Sequence, residues 1–307
     1  MKFPSPTHLA LLLLLLIATP GKGQDPSSRH DSLPEAPLAI DTAAARRFAA
    51  SMAEVLEQKP TPLRYRERCT SIGIGSANVF DTYLSPDAYS GIELRVLHES
   101  MTDPVLSDRH WLQQTLFQTF ASYTDHPSND NHNFLLHAEW RWGYLYRLPL
   151  RPTPNMQFLV GGQFYGEGGM IYNLANGNNP VAAKLALGAG LTAMMHSRFH
   201  IRGIRRPFAL RYQFFLPCMG AFFAPHYGQS YYEMFSLGHR DGIVSFSSFH
   251  NKPSHWHNLT LDVPLLKKTT LRLGYLIDIR QTSQHELKYH NWSHNFTLGL
   301  VHKFIKL

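Results

Sequence analysis

The feature that most constrains this chain is a period-two alternation sustained over long segments. From Leu136 to Leu148 every second residue is apolar or aromatic, Trp140, Trp142, Tyr144 and Tyr146 among them, while His137, Glu139, Arg141, Gly143 and Arg147 fill most of the opposite phase. Successive side chains of a strand point to opposite faces, so this pattern writes one greasy face and one polar one. It recurs from Ala183 to Met195, from Phe208 to Leu216 and from Leu271 to Ile279. A soluble β-sandwich gives the same alternation, with its inner face apolar and its outer face wet. Three features favour a membrane barrel. The segments run about 10–14 residues, near the ~9–11 that a tilted strand needs to cross a bilayer, whereas soluble strands average ~5–6. Gly143, Gly188, Gly190 and Gly274 lie in the polar phase, where they relieve crowding inside a narrow barrel. Aromatics in the apolar phase, with Tyr212 added to those above, suit a girdle at the lipid interface.

Strand segments at 71–83, 91–101, 111–124, 134–148, 156–172, 182–197, 206–217, 254–264, 269–281 and 292–305 make ten, an even number as bacterial single-chain barrels require. With both ends periplasmic, the connections 84–90, 125–133, 173–181, 218–253 and 282–291 face outward, and 102–110, 149–155, 198–205 and 265–268 face inward. The longest connection then falls outside and the shortest inside, as expected of such barrels. A hairpin around Ile243 to Phe249 would raise the count to twelve. The last segment, through Phe296, Leu298, Leu300, His302 and Phe304, looks like the terminal strand that barrel-assembly machinery recognises, although the chain ends on Leu307 rather than an aromatic residue.

Upstream, Lys2, the apolar run Leu9 to Ala18 and the small residues Gly21 and Gly23 form a secretory signal peptide over 1–23. The run is about half the ~20 residues that a spanning helix needs. Residues 24–68 form a periplasmic N-terminal segment with one short helix over 41–59, where Phe48, Met52, Val55 and Leu56 share a face, Asp41 caps the start and Pro60 stops it. Residues 69–307 form the barrel. Removing Lys2 and Lys22 leaves 27 basic against 22 acidic residues, a dispersed excess with no nucleic-acid footprint. Cys69 and Cys218 are too few for a disulfide scaffold and lack zinc or redox spacing; they either stay apart as thiols or pair once.

The runs Asn78 to Pro86 (NVFDTYLSP), Gly177 to Pro180, Pro225 to Phe235 and Gly238 to Gly242 resemble a family of uncharacterised proteins from Bacteroidetes, over about 70–305. The resemblance implies a signal peptide and an outer-membrane β-barrel. That family is of unknown function, so no catalytic residue is carried over.

Chemistry has two places to sit. In the long outward connection, Ser230 with His226 and Glu233, or His239 with Asp241, would supply the nucleophile, base and orienting group of a lipid-modifying acyl hydrolase acting on membrane lipid or lipopolysaccharide. The Gly-Gln-Ser-Tyr-Tyr-Glu context lacks a nucleophile elbow, and no residue is assigned a catalytic role. An outer-membrane protease drawing on Asp81, Asp125, His239 and Asp241 has no spacing to specify it. His255 and His257 share a strand face, but no carboxylate or cysteine completes a metal site, so neither metal nor cofactor is expected. Inside the barrel, Glu139, Arg141, Lys184, Arg211, Arg272 and Asp278, joined by Glu93, Arg95, Glu99, Asp262 and Arg280, point inward on this register. Both signs occur in similar number, which fits either a paired, filled core or a narrow charged channel, and disfavours an open porin of ~16–18 strands. The reading is a non-enzymatic envelope component of the outer membrane (a small barrel, an interaction platform or a narrow channel) in preference to the hydrolase, with membrane lipids, lipopolysaccharide and the assembly machinery as partners.

Overall fold

The computed structural model describes Ala43, Arg47 and residues 64–103, 110–150, 155–173, 175–177, 179–204, 206–265 and 269–306. The chain divides into two units, Met1–Lys59 and Pro60–Leu307. In the first, Ala43 and Arg47 are helical and exposed; the signal peptide and the rest of the 41–59 helix lie outside the described residues.

The second unit is a closed antiparallel barrel. Its strands are β1 (Arg64–Asp81), β2 (Ala88–Thr102), β3 (Trp111–Asp125), β4 (His132–Arg147), β5 (Met156–Asn173), β6 (Val181–Phe199), β7 (Phe208–Phe223), β8 (Val244–Ser247), β9 (His255–Pro264), β10 (Thr269–Gln284) and β11 (Leu287–Lys306), with a short helix α1 (Tyr231–Phe235) between β7 and β8. Strands β1 to β7 pair each with the next, β7 pairs with both β8 and β9, β9 pairs with β10 and β10 with β11, and β1 closes the ring against β11 from Arg64↔Lys306 to Asp81↔Tyr289. Both ends of the barrel chain therefore lie at one rim.

The burial pattern is inverted relative to a sandwich, which decides between the two readings of the alternation. Ile74, Ile92, Leu187 and Phe296 are 59–71% exposed, whereas Glu93, Arg95 and Arg141 are at most 1% exposed. Among the described residues, buried polar and charged side chains outnumber buried apolar ones. In water that arrangement would expose hydrocarbon and strip ions of solvent together. In a bilayer the same outer face meets lipid tails and every strand finds its backbone partners around the ring. Trp111 and Tyr144 edge the apolar band near the chain-terminus rim, and Tyr123, Phe134, Tyr172 and Trp292 edge it towards the other, the paired girdles of a membrane barrel.

The strands outrun the sequence pattern at several ends. β1 starts at Arg64 rather than 71 because Glu67 and Cys69 continue its inward series. The connection expected at 282–291 shrinks to a two-residue turn, with His285 and Glu286 both at positive φ, the backbone that matches hairpin twist.

Ten strands close the ring because β8 and β9 are two pieces of one descending strand. β9 pairs with β7 from Ala209↔Asp262 to Phe215↔Trp256, and β8 pairs with it higher up, from Gly220↔Ser247 to Phe223↔Val244. An unbroken register would set Asn251 opposite Gly220, so the descending strand carries four extra residues here. β8 keeps the barrel phase, with Ser245 and Ser247 inward and Val244 and Phe246 outward. The hairpin considered around Ile243 to Phe249 thus adds no eleventh and twelfth wall strand. Pro217 gives the break a cause, since it has no N–H to offer a partner. The next residue, Cys218, is bulged against β6, between Gly190↔Pro217 and Ala189↔Met219. The inward phase of β7 changes across it, from Arg211, Gln213 and Phe215 to Phe222, as a bulge requires. Cys69 and Cys218 are both free thiols.

Glycines in the polar phase make room for large lumen groups. A Cβ on Gly190 would sit 2.7 Å from the Phe215 ring, and one on Gly188 would sit 2.9 Å from that of Tyr165.

Candidate functional site: the filled lumen

Two charged layers cross the lumen. In the first, Arg95 on β2 donates to Glu93 at 2.7 Å on its own strand and reaches across to Asp278 on β10 at 2.8 Å. Arg280, two residues on, also bonds Asp278 (3.0 Å) and spans to Glu167 on β5 (2.5 Å) and to Glu139 on β4. Glu139 accepts from Arg141 at 2.5 Å and from Gln118 at 2.6 Å. The Arg141 guanidinium stacks between Phe215 and Trp256, 4.2 and 4.5 Å from their ring centres. Planar guanidinium groups suit this role because each satisfies several carboxylates with fixed N–H directions.

The second layer is nearer the chain-terminus rim. Arg272 holds Asp262 through two bonds (2.6 and 2.8 Å), Glu67 at 2.7 Å and Glu99 at 3.0 Å. Arg211 meets Glu99 from the opposite wall at 2.5 Å. Gln114 and Gln213 exchange two amide bonds of 2.9 Å across the lumen, and Gln163 and Thr192 extend the chain. Apolar clusters fill the remaining space: Leu116, Tyr165, Phe215, Trp256 and Leu276 belong to one, Phe120, Leu135, Ile171 and Tyr289 to another, and Met101, Leu112, Leu145, Leu159 and Met194 make a third.

The excursion of the interrupted strand brings Asn251, Lys252 and Ser254 into this core, while Phe249, His250 and Pro253 stay exposed. Between Ser248 and Ser254 the chain turns inward, with Lys252 N–H donating to Ser248 O (2.8 Å) and Ser248 N–H to Asn251 Oδ1 (2.9 Å). Ser283 N–H donates to Asn251 O (2.8 Å), and Gln281 N–H donates to Ser254 Oγ (3.0 Å), stitching the turn to β10. At its tip the buried Lys252 ammonium pairs with Glu167 and lies 5.3 Å from the Tyr165 ring centre.

All eleven sequence-predicted lumen residues lie in the barrel interior. Glu139 with Arg141, and Arg211 with Arg272 through Glu99, are brought into contact, while Asp278 joins Arg95 and Arg280. Lys184 stands apart from both layers, paired with Asp81 at 2.7 Å near the outward mouth. Sequence reasoning missed Lys252, Glu67, Glu167 and the glutamines. The glutamines occupy inward positions of the alternation and were legible there, whereas Lys252 lies in the excursion, where the period is lost.

The residues of the outward connection divide. Ser230 and Glu233 come together as the N-terminal cap of α1: Glu233 N–H donates to Ser230 Oγ (3.2 Å), and Ser230 N–H and Oγ donate to Glu233 Oε2 at 2.7 and 3.0 Å. These bonds hold the Glu233 carboxyl below its usual range. His226 instead stacks on His285 of the β10–β11 turn, ring centres 3.9 Å apart. Among the described hydrogen bonds none joins His226 to Ser230. His239 N–H donates to Glu233 O at 3.0 Å, and Asp241 is exposed. Tyr83 donates to Gln229 O at 2.8 Å, and Ala183 N–H donates to Tyr231 Oη at 2.6 Å, tying the connection down. Burial pushes the Tyr83 phenol up to about 12. No group of three or more metal-ligating side chains occurs among the described residues.

What this arrangement can do is close a pore. Cavities of about 30 and 40 Å³ lie towards the outward mouth, one of about 20 Å³ at the first charged layer and one of about 80 Å³ near the chain-terminus rim. Each of the first three holds one to a few waters by volume, with bonded side chains between them.

Fold and lumen together define the class: a small antiparallel β-barrel of the outer-membrane type. Residues 38–307 match the family described as Protein of unknown function (DUF3316), and the chain belongs to that family. No curated protein matches it. Solved structures with a similar fold include the outer membrane protease OmpT from Escherichia coli (8% identity, 80% of this chain and 98% of that one, TM-score 0.41). The transport unit of the autotransporter AIDA-I from Escherichia coli matches at 7% identity over 85% and 98% of the two chains, TM-score 0.39. An outer membrane channel from Pseudomonas putida F1 matches at 9% identity over 79% and 96%, TM-score 0.35.

Proposed function

We propose that this chain is a sealed barrel of the bacterial outer membrane, a non-enzymatic envelope component whose outward connection, 224–243, is its partner-facing part. The observation that carries the reading is the lumen. Arg95, Arg141, Lys184, Arg211, Lys252, Arg272 and Arg280 are each ion-paired there, and both charged layers are tied across the barrel. A conducting pore keeps a continuous wet path, whereas this interior fills its section with bonded side chains. The hydroxyl of Ser230 serves a helix cap, which leaves the hydrolase reading without a supporting contact.

The chain-terminus rim faces the periplasm in this proposal, and the cleaved 1–23 signal peptide is followed by a periplasmic segment that ends where β1 begins at Arg64. The surrounding lipids, lipopolysaccharide outside and the barrel-assembly machinery during insertion are the partners, in a Bacteroidetes envelope. Planar-bilayer recording of the purified barrel tests the seal. The expected result is a silent bilayer at verified incorporation; discrete openings that shift on neutralising Asp278 would replace the sealed reading with a narrow channel.

A further inference from the structure

The outer wall over β1, β2 and β11 separates its charges by sign. β1 and β2 carry four acids and β11 none, and all four point inward: Asp81, Glu93 and Glu99 are buried, and Glu67 bonds Arg272. The outward phase of the three strands holds no carboxylate, yet at the chain-terminus rim it holds Arg66, Arg68, His98 and His302, all exposed. The register sets these positions side by side. Arg68 lies opposite His302 on one side and Ser100 on the other, Arg66 lies opposite Thr102, and Thr70 lies opposite His98, to which it bonds at 2.9 Å. No ion pair to Arg66 or Arg68 occurs among the described residues.

The patch sits at one edge of the lipid-facing band. Along the same strands come Ile72, Ile74, Val96, Leu298 and Leu300, all exposed. On β1, Arg68 lies ten residues from Asn78, which pairs with Trp292 of the opposite girdle. At ~3.4 Å per residue and a tilt of ~40°, that stretch rises about 26 Å, matching the ~25 Å apolar band and putting both arginines at headgroup depth. Cations gather in the connections of this rim as well. Segments 102–110, 149–155, 198–205 and 265–268 carry seven Lys and Arg against two acids, whereas the five connections at the other end carry three against six.

We propose that Arg66 and Arg68, flanked by His98 and His302, bind the phosphodiester of an anionic phospholipid of the phosphatidylglycerol type on the outer wall, its acyl chains lying along Ile72 and Leu298. Guanidinium groups match the acceptor geometry of a phosphate and stay charged throughout the physiological range. A zwitterionic headgroup brings an ammonium as well, and the outward phase offers that cation no carboxylate. The apolar column beside the patch engages acyl chains, which inorganic phosphate lacks. The site deepens the proposed function: it rests on the orientation given there, with this rim at the phospholipid leaflet, and is independent of the seal.

The test is native mass spectrometry of the full mature chain released from a nonionic detergent, titrated with phosphatidylglycerol or phosphatidylcholine of matched acyl chains. The expected result is a first phosphatidylglycerol bound at least about tenfold more tightly than the first phosphatidylcholine. Arg66→Gln with Arg68→Gln should bring the two lipids within about twofold of each other. Arg202→Gln with Lys288→Gln, which removes two exposed charges elsewhere, should leave the preference intact. Gel mobility before and after boiling confirms that each variant is a folded barrel. Equal affinity for the two lipids, a preference untouched by the Arg66 and Arg68 changes, its loss in the control, or displacement by inorganic phosphate at equal concentration would each overturn the site. Protease treatment of intact cells reads the orientation separately. Cleavage within 224–243 is expected; protection there would overturn the orientation and the phospholipid occupant with it, whatever the titration gives.

Discussion

Replacing Arg280 with alanine probes the first charged layer at its most connected point. Arg280 donates to Glu139, to Glu167 at 2.5 Å and to Asp278 at 3.1 and 3.0 Å, so one side chain joins β10 to β4 and β5. Removing one partner of a buried ion pair typically costs ~3–5 kcal/mol, because the remaining charge is left unpaired out of water. Here each carboxylate keeps a second cation: Arg141 on Glu139, Arg95 on Asp278 and Lys252 on Glu167. The lower bound applies, about 3 kcal/mol, or roughly a 150-fold shift of the folded-to-unfolded ratio at ~1.4 kcal/mol per tenfold. Urea unfolding in phospholipid vesicles, followed by tryptophan fluorescence, measures it against Arg202→Ala, a change at an exposed loop position. A loss below about 1 kcal/mol, indistinguishable from that control, would mean that Arg280 is solvated as a surface pair is and would refute the filled-lumen argument.

Other expectations follow from the cap and from the packing. Ser230→Ala removes the α1 cap and should cost about 1 kcal/mol locally, read as roughly fivefold faster proteolysis within 224–243 at unchanged barrel mobility; a lipid hydrolysis lost with Ser230 would contradict the capping role. The depressed Glu233 carboxyl contributes to that cap above its ordinary range near 4.5, and the contribution is lost as pH falls through the lower folded value. Proteolysis of the connection by an acid-active protease should therefore accelerate below about pH 4 in the parent chain and change less in Glu233→Gln. Gly190→Val must displace the Phe215 ring that stands 2.7 Å from the new Cβ, costing about 1–3 kcal/mol by overpacking; unchanged urea stability would show that the ring is not held there.

The alternation made the barrel legible because it is written by the bilayer itself: wherever a strand meets lipid tails its outward residues must be apolar, as at Leu185, Leu187 and Leu191. The same cause explains what it hid. Above and below the lipid band polar residues crowd both faces, so Arg64 to Thr70, Thr282 to Gln284 and Leu287 to His290 continue as paired strand without an apolar period to announce it. The break at Pro217 and Cys218 left one visible mark, a proline inside an alternating run, but the four-residue slip between β8 and β9 depends on pairing that no single segment encodes. Inward charges such as Arg211 and Asp278 were legible as positions. Their partners were not, since Arg95 and Asp278 lie 183 residues apart and meet only once the ring is closed.

The inverted barrel itself is tested most directly by expressing the chain in a diderm host, isolating outer membranes and comparing gel mobility before and after boiling. The account predicts a detergent-extracted band in the outer-membrane fraction that shifts on boiling, as a closed β-barrel held by its ring of strand pairs should. A soluble protein with no shift would contradict it, and would mean that the apolar face at Ile74, Ile92 and Phe296 packs against protein rather than lipid.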